Sequence, residues 1–113
     1  MSLEQTIDLN QILHDRLKVS QDAIAQFCQK WKIVEFALFG SVLRDDFRDD
    51  SDLDVLVVFE EPRDLSLSAW LDIREEISVL FGRKVDLIQK KLLKNPYSKA
   101  EILRTHRVIY ASK

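Results

Sequence analysis

Two aspartates, Asp52 and Asp54, stand one residue apart at the head of the apolar run Val55 to Phe59, and a glycine and a serine, Gly40 and Ser41, close the run Phe36 to Phe39. Carboxylates at i and i+2 of a strand point to the same face with their Cα atoms about 6.6 Å apart, so their side chains can converge on one cation. Oxygen donors of this kind suit Mg²⁺. Six aspartates fall between residues 44 and 54, with Arg44 and Arg48 as local counter-charges, and a bound divalent ion would relieve their repulsion. An Asp-x-Asp pair alone is more often a hydrated acidic loop, so the neighbouring residues decide its meaning.

Gly40 and Ser41 lie where a strand should pass into a helix. Glycine lets backbone approach a ligand closely, and a helix N-terminus offers free N–H groups and partial positive charge to a phosphate. Ser41 can add its hydroxyl, and Arg44, one turn further on, can reach a phosphate or pair with a nearby aspartate. Taken singly these are a turn glycine, a capping serine and an ion-paired arginine. A third carboxylate, Asp86, stands in Val85 to Ile88, and a strand there beside Asp52 to Phe59 would bring it next to the first pair. Three carboxylates and a phosphate-ready turn specify metal-assisted phosphoryl or nucleotidyl transfer, with two Mg²⁺ ions against the attacking and leaving oxygens. The G-x-x-x-x-G-K-[ST] and G-x-G-x-x-G patterns are absent, which removes the P-loop and Rossmann routes.

The elements that must position these residues are marked by the two glycines and two prolines. Leu9, Ile12, Leu13 and Leu17 predict a first short helix, and Ser20 caps a second carrying Ala23, Ile24, Phe27, Cys28 and Trp31. Ile33 to Phe39 reads as a strand stopped by Gly40, with a short helix from Ser41. Asp52 to Phe59 reads as a central strand because its far end is apolar on both faces, and Pro62 closes it. Leu67, Trp70, Leu71, Ile77, Leu80 and Phe81 form an amphipathic helix ending at Gly82. Val85 to Ile88 is a third strand, Asn95 and Pro96 open a last helix around Ile102 and Leu103, and Val108 to Tyr110 is a final short strand. The expected fold class is α/β (α+β), a small mixed sheet flanked by helices.

With 113 residues, 46% hydrophobic and 32% charged, the chain is expected to fold as a single domain over 1–113, with 1–19 as an N-terminal helical extension. Disordered and low-complexity classes are excluded. No run approaches the roughly 20 apolar residues of a membrane helix, and the single cysteine, Cys28, fits a reducing cytoplasm. Residues 1–82 hold 8 Lys+Arg against 17 Asp+Glu, a balance of −9, while 83–113 hold 9 against 2, or +7. Such a split can oppose an acidic site to a basic rim, or simply solvate different surfaces.

Phe39-Gly40-Ser41, nine further residues, Ser51-Asp52-Leu53-Asp54 ahead of an apolar strand, and later Val85-Asp86-Leu87 resemble the signature of the DNA polymerase beta-like nucleotidyltransferases. The small size, the Phe-Cys-x-x-Trp helix and the Asn-Pro-Tyr and Val-Ile-Tyr segments near the end resemble the minimal nucleotidyltransferases, the antitoxin half of HEPN/MNT toxin–antitoxin pairs. The resemblance covers roughly residues 20–111. It implies the polymerase beta-like fold, a nucleoside triphosphate held by Gly40 and Ser41 with Arg44 and Ser51, and two Mg²⁺ ions on Asp52 and Asp54. Asp86 would ligate one ion and help deprotonate the acceptor. Asp45 stands where that family often has glycine. The implied reaction moves AMP from ATP to a tyrosine of a HEPN-type RNase toxin within a hetero-oligomer, with no membrane and no direct nucleic-acid contact.

Two alternatives remain at this level: a catalytically retired antitoxin that neutralises its toxin by binding alone, and a nucleotidyltransferase acting on a small molecule or nucleic acid, since a metal site does not choose its acceptor. A response-regulator receiver is excluded because Phe36 to Phe39 ends without an acidic pair.

Overall fold

Strands β1 (Ile33–Phe39) and β2 (Leu53–Phe59) arise where β-branched and aromatic residues dominate, and they pair antiparallel at the centre of a four-stranded sheet. In this computed structural model, which describes residues 16–43, 47–48, 50–60 and 65–112, β3 (Val85–Gln89) runs parallel to β2 and β4 (Arg107–Ala111) antiparallel to β1. The order β3-β2-β1-β4 makes the sheet mixed and β2 internal, as its apolar run requires.

Among the described residues three α-helices flank the sheet, and local chemistry sets their ends. The Ser20 hydroxyl accepts from the Ala23 N–H at 3.1 Å to open α1 (Gln21–Trp31), and Ser66 does the same for Ala69 at 3.0 Å to open α2 (Leu67–Phe81). Gly82 ends α2 at φ +65°, where a side chain would be strained. Asn95 accepts from the Tyr97 and Ser98 N–H groups, and Pro96 sits in the first turn of α3 (Pro96–Thr105).

Alternation along the strands sends residues to two unlike faces. Phe36, Leu38, Leu53, Val55, Val57, Val85 and Leu87 pack beneath α1 and α2 against Phe27, Ile73, Ile77 and Phe81. The ring of Phe36 meets Phe27 edge-on and stacks on Phe81, each at 6.4 Å. Among the described residues the opposite face buries only Ala37, Phe39 and Leu56, under α3 through Ile102 and Leu103.

The structure departs from the sequence reading in three places. The short helix expected from Ser41 is a single 3-10 turn, Gly40–Leu43, in the described residues. Leu67 and Leu71, read as part of the buried stripe of α2, are exposed, because α2 meets the sheet through Ile73, Ile77 and Phe81. The second strand begins at Leu53, which leaves Asp52 in the loop ahead of it. Of the expected first helix, Leu9, Ile12 and Leu13 lie outside the described residues, as does the closing role of Pro62, while Leu17 is buried in the core.

Candidate active site

Gly40 follows β1 immediately and has φ +78°, a conformation that a β-carbon penalises. A β-carbon there would also collide with the Asp54 carboxylate, lying 3.1 Å from its Cγ and closer still to Oδ2. Glycine is thus required twice: by the turn, and by the carboxylate that the turn's backbone touches. Asp54 is opposite Phe39 in the β1–β2 register, so the end of β1 and the start of β2 meet at the edge where Gly40 and Ser41 emerge.

The parallel pairing of β2 with β3 sets Asp54 beside Asp86. Partners in one register share a face, and Asp54 has the parity of Leu56, so both acids belong to the thinly covered α3 face. Asp86 is exposed and Asp54 half-buried. Asp52 is exposed in the loop, and its Oδ2 lies 3.9 Å from Lys84 Nζ, an exposed ion pair worth little in water. Gly40, Asp54 and Asp86 are therefore brought to one end of one face, with Asp52 two residues upstream.

Ser51 has its hydroxyl engaged in the loop, accepting from the Arg48 N–H at 2.9 Å, while its own N–H donates to Arg48 O at 3.1 Å. Arg44 and Asp45 lie outside the described residues. Ser41 is half-buried on the 3-10 turn next to the fully buried Val42.

The donor chemistry suits Mg²⁺: hard carboxylate oxygens at a sheet end beside a turn that admits close approach to its backbone. Among the described residues no three acidic, histidine or cysteine side chains form a ready-made metal cage. That is the usual condition of a Mg²⁺ site completed by waters and substrate phosphates, with only one or two carboxylates from the protein. An open cavity of about 560 Å³ adjoins the turn, lined by Phe39, Gly40, Leu43, Ile102, Arg104 and Arg107 among others, a size suited to a small organic ligand. Glu101 also lines it and pairs with Arg104 at 2.7 Å, so the wall carries an ion pair as well as Arg107. His106 closes the end of α3, its Nδ1 2.9 Å from Leu103 O.

Two arginines that spacing did not single out frame the site. Arg83 donates to the carbonyls of Arg48 (3.1 Å), Ser51 (3.0 Å) and Arg16 (3.3 Å), and its guanidinium lies 4.5 Å from the centre of the Phe47 ring. Arg16 donates to Val42 O at 2.6 Å. Their acceptors are backbone carbonyls distant in sequence, which carry no side-chain signature.

Residues 21–109 match the nucleotidyltransferase domain, and the chain belongs to that family. A Methanocaldococcus jannaschii protein provisionally named a protein adenylyltransferase is 37% identical over 95 residues, covering 84% of this chain and 88% of its own. A solved structure described as a minimal nucleotidyltransferase is 33% identical with a TM-score of 0.62, covering 77% of this chain and 86% of that one. The fold also matches a solved complex of a tri-AMPylated Shewanella oneidensis HEPN toxin with its MNT antitoxin, at TM-score 0.59 and 16% identity over 81% of this chain and 70% of that one. At that identity the likeness is one of fold.

Proposed function

We propose that this chain is a Mg²⁺-dependent protein adenylyltransferase and an antitoxin, which transfers AMP from ATP to a tyrosine of a HEPN-type toxin bound to it in the cytoplasm. The observation that carries the reading is the packing of the Gly40 turn on Asp54, itself in register with Asp86, which supports reading this sheet end as a phosphate-binding turn beside metal-binding carboxylates. The name of the M. jannaschii relative and the AMPylated toxin in the S. oneidensis complex support protein as acceptor and AMP as the group moved.

In this reading Asp52 and Asp54 would hold two Mg²⁺ ions and Asp86 one of them, and the metal would supply positive charge against the triphosphate. The backbone of Gly40 and Ser41, with the Ser41 hydroxyl, Arg44 and Ser51, holds the phosphates. The tyrosine oxygen bonds to the α-phosphorus as the α–β anhydride breaks and pyrophosphate leaves, while the phenolic proton passes to the Asp86 carboxylate. Incubation with α-labelled ATP, Mg²⁺ and the HEPN partner should place label on the partner. Label on a small molecule or nucleic acid alone would assign the acceptor elsewhere, and no transfer with one-to-one neutralisation would leave binding as the mechanism.

A further inference from the structure

Resting on the metal-site reading above, we infer that Arg83 is a positioning residue for that site: its guanidinium fixes the loop that presents Asp52 and, through Arg16, couples that loop to the Gly40–Leu43 turn. The loop between the turn and β2 is polar and acidic in sequence, and among its described residues Phe47 is half-buried against the core. Besides the two Arg48–Ser51 bonds inside the turn and the packing of Phe47, one side chain ties its described residues to the rest of the fold. Arg83 Nη1 joins the carbonyls of Arg48 and Ser51, the two ends of the short turn that leads directly into Asp52, and Nη2 reaches the carbonyl of Arg16. The Phe47 ring covers the guanidinium from one side. Arg16 extends the tie by donating to Val42 O, inside the 3-10 turn that carries Ser41.

Two further details argue that the tie matters. Arg83 Nε is buried with no hydrogen-bond partner among the described residues, a cost that a chain keeps where the remaining bonds serve a purpose. The backbone beside it is anchored independently, since Leu53 N–H donates to Lys84 O at 3.0 Å, so the base of the arginine stands on the β2–β3 pairing that also aligns Asp54 with Asp86. The guanidinium thus links a rigid strand end to that loop. A guanidinium holds five donors in a fixed planar fork that spans carbonyls set further apart than the three donors of a compact ammonium reach.

The consequence is thermodynamic. If the loop is ordered before the ion arrives, the affinity measured for the ion approaches that of the finished site; if it is loose, the apparent affinity falls by the fraction of time the loop is in place. Removing the fork should therefore weaken metal binding without altering the chemistry of the loaded site, and saturating metal should restore the rate. A residue that only stabilises the fold would show neither pattern.

The test compares the full chain with Arg83→Met, which keeps the stem, and Arg83→Lys, which keeps the charge. Mn²⁺ binding followed by electron paramagnetic resonance should weaken by about 10- to 100-fold in Arg83→Met, the range for removing a residue that orients metal ligands, and by less in Arg83→Lys. Without metal, amide hydrogen exchange at Ser51 should speed up in Arg83→Met while β1 amides keep their protection. In AMP transfer, the Mg²⁺ concentration giving half-maximal rate should rise while the rate at saturating Mg²⁺ stays within a few-fold of the parent. Equal Mn²⁺ affinity in parent and both variants overturns the role of Arg83 alone. A parent chain that binds no Mn²⁺ overturns the metal-site reading and this inference with it. If Arg83→Met loosens β1 as well, Arg83→Lys decides: unchanged affinity in that variant, or a rate that saturating metal fails to restore, makes Arg83 merely structural.

Discussion

The two faces of the sheet are built from the same strands but to different ends. Beneath α1 and α2, Phe36, Leu38, Leu53, Val55, Val57, Ile73 and Ile77 are wholly excluded from water. Across the sheet, among the described residues only Ala37, Phe39 and Leu56 are buried, and α3 contributes no buried residue at all. The two-residue alternation of a strand explains how one segment serves both: Leu53 and Val55 enter the closed core while Asp54, between them, faces the open side. Stability is concentrated on one face, leaving the other free to carry charge that no core would accept.

That contrast can be broken by substitution. The largest effect is expected for Phe36→Ala, which empties a site bridging both helices of the closed face and should cost about 3–5 kcal/mol in denaturant unfolding, enough to threaten the fold. Gly40→Ala should cost about 1–2 kcal/mol, from a strained φ and displacement of the Asp54 carboxylate, and should abolish most metal-dependent transfer in protein that remains folded. Ile102→Ala, on the thin face, should cost on the order of 1 kcal/mol, since its side chain is only half-buried. If Ile102→Ala proved as damaging as Phe36→Ala, the division of labour between the faces would be wrong.

The smallest effect at neutral pH concerns Cys28, whose thiol burial pushes up to about 12. Because the folded value lies above that of an exposed thiol, the group favours the folded state fully below the unfolded pKa of about 8.5, and the contribution is lost as pH rises from there through about 12. Alkylation by iodoacetamide at pH 8 should therefore track unfolding, and a folded chain that labels as fast as a free thiol would place Cys28 outside the core.

Much of this was legible because it is local. Ser20, Gly82 and the Asn95–Pro96 pair act within one helical turn, and these caps stand where the residue types place them. The strand spacing of Asp52 and Asp54 and the position of Asp86 pointed to one sheet end, and the register puts Asp54 beside Asp86. What failed depends on tertiary packing. An apolar stripe does not say which of its residues meets the sheet, so Leu67 and Leu71 looked like core, and nothing local distinguishes a helix on the closed face from α3 on the open one. The reach of Arg83 across 67 residues to Arg16 O was equally invisible, because any residue offers a carbonyl.

The central claim is that the open face performs nucleotidyl transfer, and it is tested most directly by toxin neutralisation with an Asp52→Asn, Asp54→Asn double variant. Those changes keep side-chain size and remove the charge that holds Mg²⁺, so AMP transfer should fall by orders of magnitude while binding to the HEPN partner survives. The parent should neutralise a molar excess of toxin, and the variant only an equal amount or none. A double variant that neutralises the same excess as the parent would contradict the account.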